Sequence, residues 1–418
     1  MALATAAVAG RAVSGTAVAV QLRLPEVMAA AYGSPFEMRP GPPVRAGDGW
    51  LHADLGAAGD AESFALLLST LPAGLTARRI AGEAQGWRLP VCDYRRRPAP
   101  GPVRRDPGHS PPGDDGALSP DPVPWRWTFG TRPPLAAPHG RPLRVLDLTN
   151  MWAGPLATWL LAGLGASVTK VEPSFRPDGF RAVAGGGIYP GGKPCQRGRD
   201  SGMWNALNRS KKVVELDLRR RADRDRFVEM AGHSDVVIDS FSPRVMPNFG
   251  LELPLGPLYV SMPAFPPGPQ RDWVAYGSGV HASSGLGDVG DGRFAAPAVS
   301  YPDPLAGFAA ALAVTAALRG RSRGVPIDGV EVSLAEAIAP LSAAPPEAAG
   351  PAGPGGTSGR DDRGAGGEHS PLVHPGVEGL GRRLLERASA MGLMRDGRVC
   401  DRMLPHPAAV FAAKENVF

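Results

Sequence analysis

Residues 144–172 read RVLDLTNMWAGPLATWLLAGLGASVTKVE, and this stretch decides the fold class. It begins with a short apolar run rich in strand-forming residues, Arg144–Leu148, and ends with a second such run, Val168–Glu172. Between them, residues 156–164 have helical character, and Gly165 follows where a helix C-terminal cap is expected. A strand, a helix and a second strand in this order predict two parallel strands side by side.

The same alternation continues towards the C-terminus. Further strands are predicted at 213–218, 235–239, 258–261 and 330–334, and further helices at 222–231, 305–318 and 335–341. Strands separated by helices of about ten residues are typical of an open, doubly wound sheet. The sequence therefore predicts an α/β fold with a mostly parallel, Rossmann-like sheet and helices on both faces.

The regions outside this pattern differ in composition. The chain has 418 residues with 55 Gly and 46 Pro, and Pro/Gly-rich segments with little apolar content do not offset the entropy of ordering. Short apolar runs around one helical stretch predict a small α+β segment before the main domain. The predicted organisation is a poorly ordered N-terminus (1–46), the small α+β segment (47–93), a Pro/Gly-rich linker (94–140), the α/β domain (141–341), and a low-complexity tail (342–418) with a helix at Gly381–Ala390.

Composition narrows the function classes. The formal charge is +5 and the pI is near 9.3, but the chain has no basic stripe with interleaved aromatic residues and no nucleic-acid-binding signature, so no nucleic-acid partner is expected. An anionic cofactor would also suit this charge. Cys92, Cys195 and Cys400 are too far apart to indicate a zinc site or a disulfide scaffold. No run approaches the roughly 18 apolar residues of a membrane helix, and no signal peptide is evident; we expect a cytoplasmic protein without a membrane partner.

Ligands of open α/β sheets bind at the carboxyl ends of the strands, which directs attention to the loops there. The loop after the first strand, TNMWAGP at 149–155, lacks the GxGxxG pattern of a dinucleotide site, and the chain has neither a phosphate-binding P-loop nor a GxSxG elbow. His233 and His281 have no ligand spacing to another histidine, so no metal site is expected. Carboxylates remain as the candidates for chemistry.

Asp303 is the carboxylate with the most suggestive position. It lies in SYPDP at 300–304, directly before the long apolar helix predicted at 305–318. An Asp at this place can act as the helix N-cap by accepting hydrogen bonds from free backbone N–H groups. It can also be a positioned nucleophile that attacks a thioester carbonyl. Spacing alone leaves both interpretations open.

Several short segments between 141 and 341 are similar, in the same order, to signatures of one family. They are RVLDLT (144–149), AGP (153–155), LGA (164–166) and KVEP (170–173), then NRSKK (208–212) with ELDL (215–218), DVVI (235–238) with FSP (241–243) and FGL (249–251), SGL (284–286), the Asp303 segment, and VEVSLAEA (330–337). On these segments the region resembles the class III CoA-transferases, the group of formyl-CoA transferase, carnitine-CoA transferase and 2-methylacyl-CoA racemase.

The resemblance implies an enzyme whose catalytic Asp stands downstream of the Ser-Gly-Leu segment and just before a long apolar helix. Asp303 fits that place, whereas Asp288 and Asp291 lie in a glycine-rich loop and fit less well. The implied reaction moves coenzyme A between an acyl-CoA thioester and a carboxylic acid acceptor through covalent intermediates on this aspartate. The family also implies a homodimer and no metal.

Contacts with coenzyme A carry over only where positions match. On that basis the implied cofactor-binding residues are two in the adenine pocket, three on the loop that borders the nucleotide, and one at the place of an active-site Gln in several transferases: Leu216 and Leu218; Ser240, Phe241 and Val245; and Trp152. For the two leucines, a place in the ordinary core is an equally open alternative.

The chain also departs from the family pattern. Where basic residues meet the CoA phosphates in the family, this chain has Pro173, Asn248 and Pro263. Phosphate binding would then fall to other cations, for which the candidates are Arg209, Lys211 and Arg244.

Two other functions remain open. The racemase branch pairs its Asp with a His upstream of Ser-Gly-Leu, but Tyr276 stands at that position here and His281 comes five residues later. The chain could also be an inactive CoA-binding partner subunit. Its layout is atypical, because the segment at 47–93 faintly resembles parts that the family normally carries late in the chain, and the recognisable region stops near 341.

Overall fold

The computed structural model describes residues 41–56, 59–96, 124–130, 141–173, 177–181, 202–251, 253–297 and 300–342. The helix predicted at 381–390, most of the N-terminus and the C-terminal tail lie outside these residues. The twelve strands described are β1 (Val44–Ala46), β2 (Gly49–Ala53), β3 (Val91–Asp93), β4 (Arg126–Phe129), β5 (Arg144–Leu148), β6 (Ser167–Glu172), β7 (Lys212–Glu215), β8 (Val236–Asp239), β9 (Leu258–Ser261), β10 (Asp288–Gly290), β11 (Arg293–Phe294) and β12 (Ile327–Glu331). The nine helices described are α1 (Asp60–Thr70), α2 (Ala77–Gly86), α3 (Ala153–Gly163), α4 (Gly202–Asn208), α5 (Arg221–Gly232), α6 (Val245–Asn248), α7 (Gly277–Ser283), α8 (Pro302–Arg321) and α9 (Leu334–Ser342).

A seven-stranded sheet forms the centre of the protein, in the order β4-β12-β9-β8-β5-β6-β7. All its neighbouring strands are parallel except β4 and β12, which pair antiparallel. Along the chain, β6 and β7 are added to one side of β5, and β8, β9 and β12 are then added to its other side. The predicted open, mostly parallel α/β sheet is therefore confirmed, and its topological switch point lies between β5 and β8.

Each face of the sheet carries its own core, because alternate side chains of a strand point to opposite faces. Val145 of β5 packs in a cluster with α3, α7, α8 and α9. Its neighbour Leu146 packs in a second cluster with Phe227 of α5. Helices thus cover both faces, as predicted.

Helix α8 is the long apolar helix that the sequence predicts, and it is buried along most of its length. Pro302 occupies its first position, where the missing N–H costs nothing. One turn later, Gly307 lies against the carbonyl of Ala153, so closely that a Cβ at this position would overlap that oxygen. This close approach packs the first turns of α8 and α3 together, next to the loop that follows β5.

The small N-terminal segment contains the antiparallel sheet β1-β2-β3 and helices α1 and α2. It has its own apolar core, which includes Leu51, Phe64 and Ile80. Thr76 caps α2 by accepting from the N–H of Arg79. The segment packs on the α/β domain through β3, where Cys92 belongs to the larger core.

One element lies within the range predicted as a linker, 94–140. Strand β4 pairs with β12 and forms the edge of the sheet on that side. Arg126 of β4 forms ion pairs with Glu331 and Glu336, and the rings of Trp125 and Trp127 pack edge to face at 5.8 Å between centroids. A short run that contains aromatic residues can form an edge strand when an existing strand of the sheet offers unpaired backbone N–H and C=O groups.

Candidate active site

The candidate site lies at the carboxyl ends of β5 and β8, on either side of the topological switch point. Ligands of open α/β sheets bind in the crevice at this place, because neighbouring loops turn away in opposite directions. The two loops are joined by a hydrogen bond from the N–H of Asn150 to Ser240 Oγ at 3.1 Å. The N–H of Met151, a residue with φ +65°, donates to the carboxylate of Asp178. The loop after β5 is therefore held from both sides.

Asp303 is the second residue of α8 and is only 6% exposed. Ser300 Oγ donates to its Oδ2 at 2.5 Å, and the N–H of Gly277, at the start of α7, donates to the same carboxylate. A Cβ at Gly277 would overlap both Asp303 Oδ2 and Ser300 Oγ, so only glycine allows this approach. The N-cap of α8 is Tyr301, so the N-cap interpretation of Asp303 is wrong.

Among the residues that the structure describes, no cation compensates the charge of Asp303. Burial, together with the charge of Asp54, raises the pKa of its carboxyl to about 7, against the hydrogen bonds from Ser300 and Gly277 that lower it. Within the described ranges, no Lys, Arg or His forms an ion pair with Asp303. At neutral pH the group is therefore divided between its acid and its carboxylate, and the carboxylate has little solvation to lose before it reacts.

A second buried carboxylate, Asp147, lies beneath the loop after β5 and has the opposite surroundings. Its oxygens accept from Thr149 Oγ1 and Thr158 Oγ1 at 2.5 Å each, and Lys211 Nζ is 3.1 Å from Oδ2. Burial alone would raise the pKa of Asp147, but Lys211 and Lys170 outweigh it and lower the pKa. Burial lowers the pKa of Lys211 to about 8, against the attraction of Asp147.

This cluster removes one candidate for phosphate binding. Lys211 was a candidate from the sequence, yet its amino group is enclosed and bonded to Asp147, Asn208 Oδ1 and the carbonyl of Pro155. It holds the loop after β5 from below and does not reach the crevice. Arg209 is exposed on the turn after α4, away from these contacts.

Three of the predicted CoA residues are brought together on the segment after β8. They are Ser240, Phe241 and Val245, all partly exposed. The N–H of Phe241 donates to Asp239 Oδ1 at 3.0 Å and fixes the start of this loop. Burial raises the pKa of Asp239 to about 7, and the charge of Glu331 adds to the rise.

The other three predicted CoA residues lie inside the protein. Leu216 and Leu218 follow β7 and belong to the core on the α5 face, against which Phe241 packs. Trp152 is only 1% exposed at the N-terminus of α3. Sequence position placed these residues near the crevice, but their side chains contribute to its walls and not to its open surface.

Arg88, which sequence reasoning missed, comes from the small N-terminal segment and reaches the loop after β8. Its guanidinium donates to the carbonyl of Asp272 at 3.1 Å and to Ser242 Oγ at 3.4 Å. Arg244 lies beside it, with its Nε 3.7 Å from the carboxylate of Asp272. Burial and the charge of Arg244 lower the pKa of Arg88, and Arg88 has a φ of +62°. Two guanidinium groups thus stand at one rim of the crevice.

His281 is committed to two structural hydrogen bonds. Its Nε2 is 3.2 Å from the carbonyl oxygen of Ala295 and its Nδ1 is 2.7 Å from the hydroxyl of Tyr301. Because a carbonyl only accepts, Nε2 carries the proton, and the neutral Nδ1 accepts from Tyr301. Neither nitrogen is left to exchange a proton with a substrate in this arrangement. In the part of the chain that the structure describes, no cluster of His, Cys, Asp and Glu could hold a metal ion, and no helix is long and apolar enough to cross a membrane.

Comparison with known proteins agrees with this architecture. The family model described as CoA-transferase family III matches residues 141–370. The succinyl-CoA--D-citramalate CoA-transferase of Chloroflexus aurantiacus is 31% identical over 217 residues, which are 48% of this chain and 51% of that protein. The acetyl-CoA:oxalate CoA-transferase of Acetobacter aceti is 33% identical over 151 residues, 34% of this chain and 36% of that protein.

Among solved structures, the protein Rv3272 of Mycobacterium tuberculosis is 29% identical with a TM-score of 0.42, over 49% of this chain and 57% of that chain. A CaiB/BaiF family protein from Brucella suis is 25% identical with a TM-score of 0.41, over 48% of this chain and 54% of that chain. The chain spans about half the length of the first curated relative it matches, with 51% covered.

Proposed function

The chain belongs to CoA-transferase family III, and on that premise we propose that it moves coenzyme A between an acyl-CoA thioester and a carboxylic acid, with Asp303 as the nucleophile. The observation that carries the proposal is the enclosed carboxylate of Asp303, which has hydrogen-bond donors but no cation among its described neighbours. A carboxylate kept out of water and not neutralised is a better nucleophile than a paired one.

The reaction divides into steps on one carboxyl group. An Asp303 oxygen attacks the thioester carbonyl, the C–S bond breaks, and CoA leaves as the thiolate from a mixed anhydride. The thiolate then attacks the Asp303 carbonyl carbon and releases the first acid, which leaves an aspartyl-CoA thioester. The acceptor carboxylate attacks that thioester, the thiolate leaves again, and its attack on the acceptor's acyl carbon forms the new acyl-CoA and restores Asp303.

Backbone dipoles around Asp303 suit the charges that develop in these steps. The N–H of Gly277 already donates to the carboxylate, and so does the N–H of Asp303 itself at the start of α8, where Pro302 and Pro304 have no N–H to offer. Helix N-termini stabilise negative charge, and fixed donors in an enclosed site need little reorganisation during the reaction. Because the pKa of Asp303 is about 7, acylation should accelerate as the pH rises through neutrality.

Coenzyme A would bind along the loop after β8. Ser240, Phe241 and Val245 border the crevice at the switch point, where the nucleotide has room. Arg244 and Arg88 would take the phosphates in place of the family's basic residues, because both side chains are exposed and both guanidinium groups lie at Asp272. Two adjacent arginines at a rim are a suitable receptor for a phosphate dianion.

The test is mass spectrometry of the intact protein after incubation with acyl-CoAs, followed by trapping with hydroxylamine. Succinyl-CoA and acetyl-CoA are the first donors to try, because relatives are named for them. We expect a covalent adduct or a hydroxamate that maps to Asp303 and is absent from Asp303→Ala. Asp288→Ala, in the glycine-rich loop, is the matched control and should form the adduct normally. A folded protein with no adduct from any thioester, or an adduct that Asp303→Ala retains, would overturn the proposal.

The assembly state belongs to the same proposal. We infer a homodimer from the family, but one relative, 26% identical over 230 residues, is named the alpha subunit of a succinyl-CoA--L-malate CoA-transferase. Light scattering of the purified chain distinguishes the two cases. A dimeric mass with adduct formation supports the homodimer, whereas a monomer that forms the adduct only with a co-expressed partner supports a hetero-oligomer.

A further inference from the structure

A buried polar chain connects the N-terminal segment to the candidate nucleophile. His52 of β2 and Asp54 just after it point inwards and are almost fully enclosed. His52 Nε2 is 3.0 Å from Asp54 Oδ1. On the other side, Ser278 Oγ is 2.9 and 2.8 Å from the two oxygens of Asp54. The contact crosses 224 positions of sequence, and it joins the small segment to α7.

The next link in the chain is the backbone of α7. Ser278 directly follows Gly277, whose N–H donates to Asp303 and whose missing side chain lets that carboxylate approach. The position of Ser278 therefore fixes the position of the donor to Asp303. The charge of Asp54 also acts on Asp303 directly, through the interior.

The protons in this network have a consistent arrangement. The hydroxyl of Tyr94 lies 3.4 Å from His52 Nδ1, and the two rings meet edge to face. With Nδ1 accepting from Tyr94, Nε2 carries a proton and donates to Asp54. The hydrogen bond with His52 on one side and the hydrogen bonds from Ser278 on the other thus hold the carboxylate of Asp54 in the interior, where its charge acts on Asp303.

We propose that His52 and Asp54 are positioning residues for the reaction, which hold α7 against Asp303 through Ser278 and set the charge that Asp303 experiences. The inference rests on the proposed role of Asp303 as the nucleophile. It gives the small N-terminal segment a part in the chemistry, because that segment supplies both residues. Neither residue touches the reacting atoms, and each acts through its effect on Asp303.

A purely structural role is the competing explanation, because the same hydrogen bonds attach the segment to the domain. Among the described residues, the titratable groups around Asp54 are His52, Cys92, Asp93, Tyr94 and Arg95 from the segment, and Asp303 from α8. His281 of α7 points to Tyr301 and Ala295 instead. Among these groups, Asp54 is the one whose charge acts on Asp303. A variant that removes this charge and keeps the shape separates the two roles.

The experiment compares Asp54→Asn with Asp93→Asn, which removes a second buried carboxylate of the same segment. The first readout is the pH dependence of the rate at which the Asp303 adduct forms. The second is the titration of the Asp303 carboxyl band by difference infrared spectroscopy, assigned with Asp303→Asn. Removing a nearby negative charge favours ionisation, so Asp54→Asn should move both titrations to lower pH by up to about one unit. Asp93→Asn should leave both where they are in the wild type.

A loss of rate alone does not decide the question, so the ratio of rates at pH 6 and pH 8 is compared. Asp54→Asn should raise this ratio several-fold, and Ser278→Ala should lower the maximal rate without raising the ratio. If Asp54→Asn and Asp93→Asn give the wild-type profile in both readouts, the inference is overturned. If the wild type forms no adduct but the infrared titration still shifts with Asp54→Asn, the proposed function fails while the coupling of Asp54 to Asp303 stands. Thermal unfolding of each variant confirms that the comparison is made on folded protein.

Discussion

Two buried aspartates of the same domain, Asp147 and Asp303, have electrostatic surroundings of opposite kind. Asp147, at the end of β5, is enclosed by Lys211, Lys170 and two threonine hydroxyls, and its pKa is lowered. Asp303, at the start of α8, has hydrogen-bond donors and no cation among its described neighbours, and its pKa is raised to about 7. Both carboxylates are removed from water to a similar extent. The difference lies in whether the protein compensates the charge.

The comparison indicates which of the two buried charges contributes to the stability of the fold. Burial of an ion costs several kcal/mol, which cations and hydrogen bonds can offset. The cluster around Asp147 does so, and it holds the loop after β5 from below. The described surroundings of Asp303 contain no cation that offsets this cost, and uncompensated buried charges are typical of functional sites. Variants of each aspartate and of its partners test whether Asp147 stabilises the fold and Asp303 serves the reaction.

The largest effect is expected on activity at Asp303. Asp303→Asn removes the nucleophile, so kcat/KM for CoA transfer should fall by at least about 10³-fold. Asp303→Glu keeps the charge but moves it by one methylene in a site too tight for a Cβ at Gly277, and it should lose about 10²-fold. Steady-state kinetics with one acyl-CoA and one acid measure both. Near-normal CoA transfer by Asp303→Asn would show that the uncompensated charge of Asp303 does not serve the reaction.

The next effect is on stability, at Lys211. Lys211→Met leaves Asp147 with one cation fewer in an enclosed site, and the free energy of unfolding should fall by about 3–5 kcal/mol. Arg221→Met is the matched control, because Arg221 is an exposed cation whose Nε is 3.9 Å from Asp225, and it should unfold like the wild type. Urea denaturation followed by circular dichroism compares them. Equal midpoints for the two variants would mean that the buried cluster contributes nothing to the fold.

An effect of opposite sign, and of no greater size than that of Lys211→Met, is expected for the stability of Asp303→Asn. Between pH 4 and pH 7 the folded wild type binds the proton that the unfolded chain has released, so its stability falls as the pH rises through this window. Asp303→Asn has no carboxyl group at this position, so its stability does not fall in this pH window for that reason. It should be more stable than the wild type at pH 8, by up to about 4 kcal/mol for a pKa near 7, and the two should converge at pH 4. Thermal unfolding at the two pH values tests this. For Asp147, whose pKa is lowered, the sign reverses, because ionisation stabilises the folded state.

Local sequence predicted much of the fold, and for a physical reason. The strand–helix–strand run at 144–172 and its continuation have the periodicity of buried parallel strands and their helices, which depends on residues a few positions apart. Strand β4 was missed because its four residues form a strand only by pairing with β12. Its pairing partner is about two hundred positions away, and no local pattern reports it.

The residues of the candidate site likewise include some that local sequence predicts and some that it does not. Asp303 could be singled out because its place before a long apolar helix is a local feature, supported by the family resemblance. His52, Asp54 and Arg88 could not, since their contacts join the N-terminal segment to residues far along the chain. Lys211 was a candidate for phosphate binding, with Arg209 and Arg244, because the family's basic positions carry other residues here; its burial follows from Asp147, 64 positions earlier.

The smallest effect is expected at Asp239, which is the intermediate case between the two aspartates. Its pKa is raised to about 7, like that of Asp303, but its carboxylate accepts from the N–H of Phe241 and lies at the start of the loop after β8. If position as well as charge decides function, Asp239→Asn should change KM for acyl-CoA by no more than about threefold, because Asn still accepts that hydrogen bond. The value of kcat should stay unchanged. Steady-state kinetics at pH 8 measure both constants, with Asp303→Asn alongside. A loss of kcat comparable to that of Asp303→Asn would show that a raised pKa, and not contact with the reacting thioester, marks the catalytic carboxylates of this protein.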